Sequence, residues 1–438
     1  MTIYEMVEAI RSGVLTSREL VLRYISAIDE NKHLNAVIEV NPDALDIADR
    51  LDATKDKTGL LYGIPILIKD SINTKDRMHT SAGSVALADN IAPEDAPLVK
   101  SLRDTGAVIL GKANMTEFAN YMSESMSNGY SSRGGQTLNF FDHKADPSGS
   151  SSGSAVAVIA DLCAASIGTE TCGSIISPAQ CGGIVGIKPT AGLINGLGIF
   201  PISFTLDTPG PMTRCVDDAR ILLSVLTGQQ YEKSITKLSG IRIGICRKPA
   251  VDNEDITPDW IKANENLIPV MKALGADCVD VPEHGINTDF IYPIMQNEFK
   301  AGVNKYLESM HNPLIPQNLQ EIIEYNEQHV DIALKYGQDT LVRDNASGAL
   351  TEPVYIEAME QREAAIRTLD TFFDANNIDI LFSVSSDIAL AAATGFPSMT
   401  IPLGLQGSGL PIGSFFTARR YNEESLLLIT CEIERALL

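Results

Sequence analysis

Lys69 and two serine-bearing turns are the residues best suited to chemistry in this 438-residue chain. Lys69 closes the run Gly63-Ile-Pro-Ile-Leu-Ile-Lys69, which has the pattern of a core strand. Lysine is rarely buried without a partner. Burial favours its neutral form, and a neutral amine is a competent general base near pH 7. Taken alone, Lys69 also fits a strand-end lysine whose ammonium reaches solvent. The stretch Ser148-Gly-Ser-Ser-Ser-Gly-Ser154 crowds five hydroxyls around two glycines that permit sharp turns. Alone, it also fits a flexible linker or an anion-binding loop at a helix start. Gly173-Ser174 closes a second turn, where a serine Oγ can face a substrate while nearby N–H groups converge on an oxyanion. Each such donor is worth roughly 2.7–4 kcal/mol. None of the six histidines has a triad context and the Gly173-Ser174 turn is not a G-x-S-x-G elbow, so a serine–lysine solution remains for activating a serine.

The composition narrows the class. A net charge of −22 opposes phosphate backbones and anionic bilayers, so neither nucleic acid nor membrane is an expected partner. The start of the chain, interrupted by Glu5 and Glu8, lacks a signal-peptide pattern, and no apolar run is long enough to span a bilayer. The seven cysteines have irregular spacings, which fits reduced thiols and a cytoplasmic location. Cys172, Cys181 and the scattered histidines match no metal-ligand spacing, so neither metal nor cofactor is expected. A P-loop is absent.

The elements that must hold these residues alternate. Leu20, Val21, Tyr24, Ile25 and Ile28 recur at helical spacing behind a Thr16/Glu19 capping box. Residues 64–68 predict a buried strand, 98–102 a helix and 108–111 a strand. Loops are expected at 128–136 and 146–154, a tightly packed helix over 155–165, a glycine-rich turn over 168–174 and a strand over 182–188. Beyond a connector at 228–240, strands are expected at 241–246, 378–384, 396–402 and 410–416. Helices are expected at 257–274, 353–373 and the C-terminal end. This alternation predicts an α/β fold.

Together, these motifs resemble those of the amidase signature family. The resemblance lies in Pro147 to Ser154, Gly168-Thr-Glu-Thr-Cys-Gly-Ser-Ile175, Pro178-Ala179, Gly182 to Thr190 and Asp207 to Arg214. It extends to Gly63 to Asp70, Gly111 to Phe118, Gly395 to Pro402 and Gly409 to Gly413, and is weakest in the middle of the chain. It implies a large mixed β-sheet covered by helices on both faces, one amidase domain over 1–438, and a smaller cap or subdomain at about 250–350. It also implies a Ser–cis-Ser–Lys triad: Lys69 as base, Ser150 as bridge behind a cis peptide bond, and Ser174 as nucleophile. The N–H groups of Thr171, Cys172, Gly173 and Ser174 would form the oxyanion hole. Met122 and Gly149 would contact substrate, although Met122 also fits a core methionine. Two positions depart from the family pattern, Cys172 for a common glycine and Ile176 for a frequent arginine.

The implied substrate is a small-molecule or peptide amide. Arg133-Gly-Gly-Gln-Thr137, Pro201-Ile-Ser-Phe204 and the serine-rich loop are similar to bacterial peptide amidases, which remove C-terminal amides. The same scaffold also serves as the glutaminase subunit of a tRNA-dependent amidotransferase, which would require a partner subunit. A non-catalytic binding protein on this scaffold is the alternative from another class.

Overall fold

A computed structural model describes residues 1–234, 237–247 and 256–438. Its centre is a mixed sheet of eleven strands among the described residues. These are β1 (Val37–Val40), β2 (Pro65–Lys69), β3 (Val108–Ala113), β4 (Ala165–Glu170), β5 (Val185–Lys188), β6 (Thr208–Thr213), β7 (Arg242–Cys246), β8 (Asp277–Asp280), β9 (Ile380–Ser383), β10 (Ser398–Thr400) and β11 (Phe416–Ala418). Their spatial order is β1-β3-β2-β4-β6-β5-β10-β11-β9-β7-β8. Helices cover both faces of this sheet.

Strand β2 is buried along its whole length and runs parallel to both neighbours, β3 and β4. A strand covered on both faces needs a continuous apolar run instead of alternation, which explains the Ile-Leu-Ile sequence before Lys69. The pairing of Ile68 with Ile167 brings the end of β2 beside the middle of β4, the strand that leads toward Ser174. Thr16 and Glu19 form the expected reciprocal cap on the helix Ser17–Glu30, and Thr2 and Glu5 form another on Ile3–Arg11.

Three local expectations need correction. The helix expected over 155–165 is Ser152–Ile159, and the chain reverses at Asp161 with φ 53° before β4 begins at Ala165. Small residues fill both the helix and the strand, so no change of period marks the boundary. The turn expected over 168–174 is correspondingly shorter, because Gly168–Glu170 belongs to β4. Gly182 ends a helix, Ile176–Gly182, instead of opening a strand; Gly183 caps it at φ 60° and β5 starts at Val185.

The helices Ile291–Met310, Leu319–Gln328 and Asp339–Asn345 bury a second apolar core against Phe118, Phe200 and Leu206. The helix Pro258–Ala273 and β8 precede this layer, and β8 joins the large sheet. Residues 250–255 of the expected cap and residues 235–236 of the expected connector lie outside the described residues. No helix among the described residues is long and apolar enough to cross a membrane.

Candidate active site

Lys69 is fully buried at the end of β2. Its Nζ donates to Ser150 Oγ at 2.7 Å and to the Thr169 carbonyl at 3.1 Å. Burial pushes its pKa down to about 7, and the nearby charges of Asp207 and Glu170 partly oppose that fall. Lys112 and Lys188 are buried as well, so burial alone does not single out Lys69. The partners do. Lys112 donates to the Ile72 carbonyl and Thr80 Oγ1, and Lys188 donates to the Pro189 carbonyl. Lys69 meets a serine hydroxyl that lies beside a second serine-bearing turn.

Ser150 is also fully buried, and the Gly149–Ser150 peptide is cis. Its carbonyl accepts from Thr116 N–H at 3.0 Å, which anchors the loop to the segment after β3. A Cβ at Gly149 would stand 2.5 Å from Thr116 Oγ1. At Gly153, a Cβ would collide with the carbonyl oxygens of both Ala36 and Asn114. The two glycines let the loop lie against the sheet, so this stretch is a packed turn and not a linker.

Ser151 ties the two turns together. Its N–H donates to the Ser174 carbonyl at 3.2 Å, and its Oγ donates to the Thr169 carbonyl at 3.1 Å. Ser174 is 8 % exposed. The hydroxyls of Ser150 and Ser174 share no hydrogen bond, and Ser151 provides the direct link between their loops. Glu170 fixes the turn after Ser174: its Oε2 accepts from Ile175 N–H at 2.7 Å and Ile176 N–H at 2.9 Å. Gly173 occupies the left-handed region at φ 86°, a conformation for which glycine is the natural choice. The N–H groups of Thr171, Cys172, Gly173 and Ser174 have no acceptor among the described residues. Four N–H groups on one short turn are thus left without a protein acceptor.

Asp207 buttresses this turn. Thr171 Oγ1 donates to its Oδ1 at 2.5 Å, while Ile202 and Ser203 N–H donate to Oδ2 at 2.8 and 3.0 Å. Burial pushes Asp207 up to about 7 against those hydrogen bonds. Sequence reasoning singles out neither Glu170 nor Asp207. The available signal is a single carboxylate at the edge of each recognised motif, beside residues that must be held still.

A cavity of about 570 Å³ opens beside Thr169, Thr171 and Asp207. Lys69, Ser150 and Ser174 do not line it; Thr169, which does, accepts from Lys69 Nζ through its carbonyl. Met122 is 1 % exposed within the second core, and its near neighbour Ala119 reaches the cavity instead. Of the two departures from the family pattern, Cys172 is exposed, whereas Ile176 is buried in a small apolar cluster with Ala391 and Phe415. An arginine at position 176 would have no such apolar fit. No group of three or more His, Cys, Asp or Glu among the described residues could hold a metal ion.

The family model for Amidase matches residues 19–389, and the chain belongs to that family. A protein of Arabidopsis thaliana named "Probable amidase" is 36 % identical, with 100 % of this chain and 90 % of that protein covered. The crystal structure of peptide amidase from Stenotrophomonas maltophilia superposes with a TM-score of 0.90 at 35 % identity, covering 99 % of this chain and 96 % of that one. A glutamyl-tRNA(Gln) amidotransferase subunit of Bdellovibrio bacteriovorus is 29 % identical, with 99 % and 96 % covered. The chain is thus an amide-hydrolysing enzyme. That sets aside a non-catalytic binding protein.

Proposed function

We propose that this amidase cleaves a carboxamide C–N bond through a Lys69–Ser150–Ser174 relay. Neutral Lys69 accepts the Ser150 hydroxyl proton as Ser150 accepts that of Ser174. Ser174 Oγ then forms a bond to the amide carbonyl carbon, and the oxyanion takes hydrogen bonds from the N–H groups of Thr171, Cys172, Gly173 and Ser174. Collapse breaks the C–N bond. The proton held by Lys69 returns through Ser150 to the leaving nitrogen, which departs as ammonia or an amine. Water hydrolyses the acyl-enzyme by the same relay. The observation that carries this account is the 2.7 Å contact between a fully buried lysine nitrogen and Ser150 Oγ.

The substrate we assign is a C-terminal amide of a peptide. Likeness to peptide amidase at 35 % identity over 99 % of the chain supports this choice, as does a cavity within the usual small-ligand range. Gly149 would set the approach to the carbonyl, while Met122 would act through the packing of Ala119. The whole chain would work as one domain, with the helices between Ile291 and Asn345 as a cap. The test is a panel of peptide amides and simple amides, read by ammonia release, with Ser174→Ala as the control. Wild type should release ammonia from peptide amides, and the control should lose at least about 10³-fold while melting normally. A fully active control would remove Ser174 from the role of nucleophile.

The 29 % identity to a glutamyl-tRNA(Gln) amidotransferase subunit favours a second function, glutamine hydrolysis for a partner. Ammonia release from glutamine that appears only when partner subunits are added would select it.

A further inference from the structure

The cavity beside the relay has two charged side chains on its wall, Asp207 and Lys305. Asp207 is occupied by Thr171, Ile202 and Ser203. Lys305 is different. It lies on the helix Ile291–Met310, is exposed, and has no ion pair or hydrogen bond among the described residues. The carboxylates nearest to it along that helix do not neutralise it. Glu298 is buried and accepts from Ser203, Thr205 and Tyr355, and Glu308 forms no ion pair with it.

The surrounding wall is apolar. Leu197, Phe200, Phe204 and Leu350 contribute to it, and Leu197 and Phe204 remain 64 % and 56 % exposed. Large exposed apolar side chains gathered at a cavity are a binding feature, not a core feature. The helix is also held close to this wall. Gly302 sits one turn before Lys305, and a Cβ there would stand 3.1 Å from Pro201 Cγ. Lys305 is thus an exposed residue on the cavity wall, while Lys69 and Ser150 are fully buried.

We propose that Lys305 is a specificity-determining residue, and that the cavity takes amides whose acyl part is apolar near the carbonyl and carries a carboxylate at its outer end. This rests on the relay above as the site of hydrolysis. The chain as a whole carries −22 and opposes anions, so an acid preference must come from a local cation.

The experiment uses three amides with the same apolar acyl chain, ending in a carboxylate, a methyl group or an ammonium. It compares kcat/KM for wild type, Lys305→Gln, Lys305→Glu and Lys305→Arg, with thermal melts to verify folding. Wild type is expected to favour the carboxylate over the methyl compound by about fivefold, the upper range for an exposed pair. Lys305→Gln should bring that ratio close to one, Lys305→Glu should favour the ammonium compound, and Lys305→Arg should keep the acid preference. Absence of an acid preference in wild type, or ratios unchanged in the glutamine and glutamate variants, overturns the proposal. Ser174→Ala run in parallel separates the two claims. Full activity there sinks the relay, whereas a loss of at least about 10³-fold without a charge preference in wild type sinks only Lys305.

Discussion

The Thr169 carbonyl accepts a hydrogen bond from Lys69 Nζ at 3.1 Å, which links the end of β2 to the strand that leads into Ser174. The same carbonyl accepts from Ser151 Oγ, so one backbone oxygen holds the candidate base and the serine loop in register. Since β2 and β4 are parallel neighbours, their ends project from the same edge of the sheet. The sheet topology, more than any single side chain, brings residues distant in sequence together.

Activity should titrate with the amine of Lys69. Its pKa is depressed to about 7, so the neutral base predominates above that pH and is lost below it. The kcat/KM profile for a neutral amide is expected to rise with pH and to bend near 7. A flat profile from pH 5 to 9 would contradict a titrating base at this position.

The same depression makes a stability prediction. Lys69 in the unfolded chain keeps its ordinary value of 10.5, so unfolding binds a proton between about 7 and 10.5. The lysine therefore costs the folded state most below pH 7, and that cost fades as pH rises toward 10.5. Urea denaturation of wild type and Lys69→Met should show the variant's relative stability falling from pH 7 to pH 10. A difference that does not vary with pH would show that the amine is not desolvated.

Ser150→Ala removes the hydroxyl proposed to bridge Lys69 and Ser174. General acid–base assistance is typically worth about 10²–10⁴-fold, and a loss of that size in kcat is expected. Steady-state kinetics on a peptide amide measure it, and a change below tenfold would remove Ser150 from the relay.

Glu170→Gln should act in two ways. It weakens the acceptor for the Ile175 and Ile176 N–H groups, so kcat should fall by roughly tenfold through looser placement of Ser174. It also removes a negative charge that raises the pKa of Lys69, so the acid limb should move to lower pH. A fall in kcat with an unmoved limb would leave only the positional effect.

The glycines of the serine loop should differ in tolerance. A Cβ at Gly153 meets two backbone carbonyls, whereas one at Gly149 meets chiefly a threonine hydroxyl that can rotate away. Gly153→Ala should therefore destabilise more, by about 1–3 kcal/mol. Denaturation midpoints for the two variants provide the comparison, and the reverse order would contradict the packing described.

Much of this arrangement is legible in the residues. The apolar run before Lys69, the glycine-spaced serines and the Thr16/Glu19 cap each carry a local signal, and each lies where that signal puts it. Strand β4 is hidden because Ala165-Ser-Ile-Gly-Thr-Glu170 has neither alternation nor an apolar run. Its burial comes from neighbouring strands on both sides, which no local window contains. Glu170 and Asp207 escape a sequence reading for a similar reason. Their value lies in backbone N–H groups and hydroxyls that only the folded turns bring to them. Resemblance puts Met122 at the substrate; in the fold its side chain is packed in the second core, and Ala119 lines the cavity.

The central claim is that Ser174 becomes a nucleophile because Lys69 can accept its proton through Ser150. A fluorophosphonate probe followed by peptide mass spectrometry tests this most directly in wild type, Lys69→Met and Ser174→Ala. The account predicts an adduct on Ser174 in wild type, far slower labelling in Lys69→Met and none at that site in Ser174→Ala. An adduct on another serine, or labelling of Ser174 at the wild-type rate without the lysine, would contradict it.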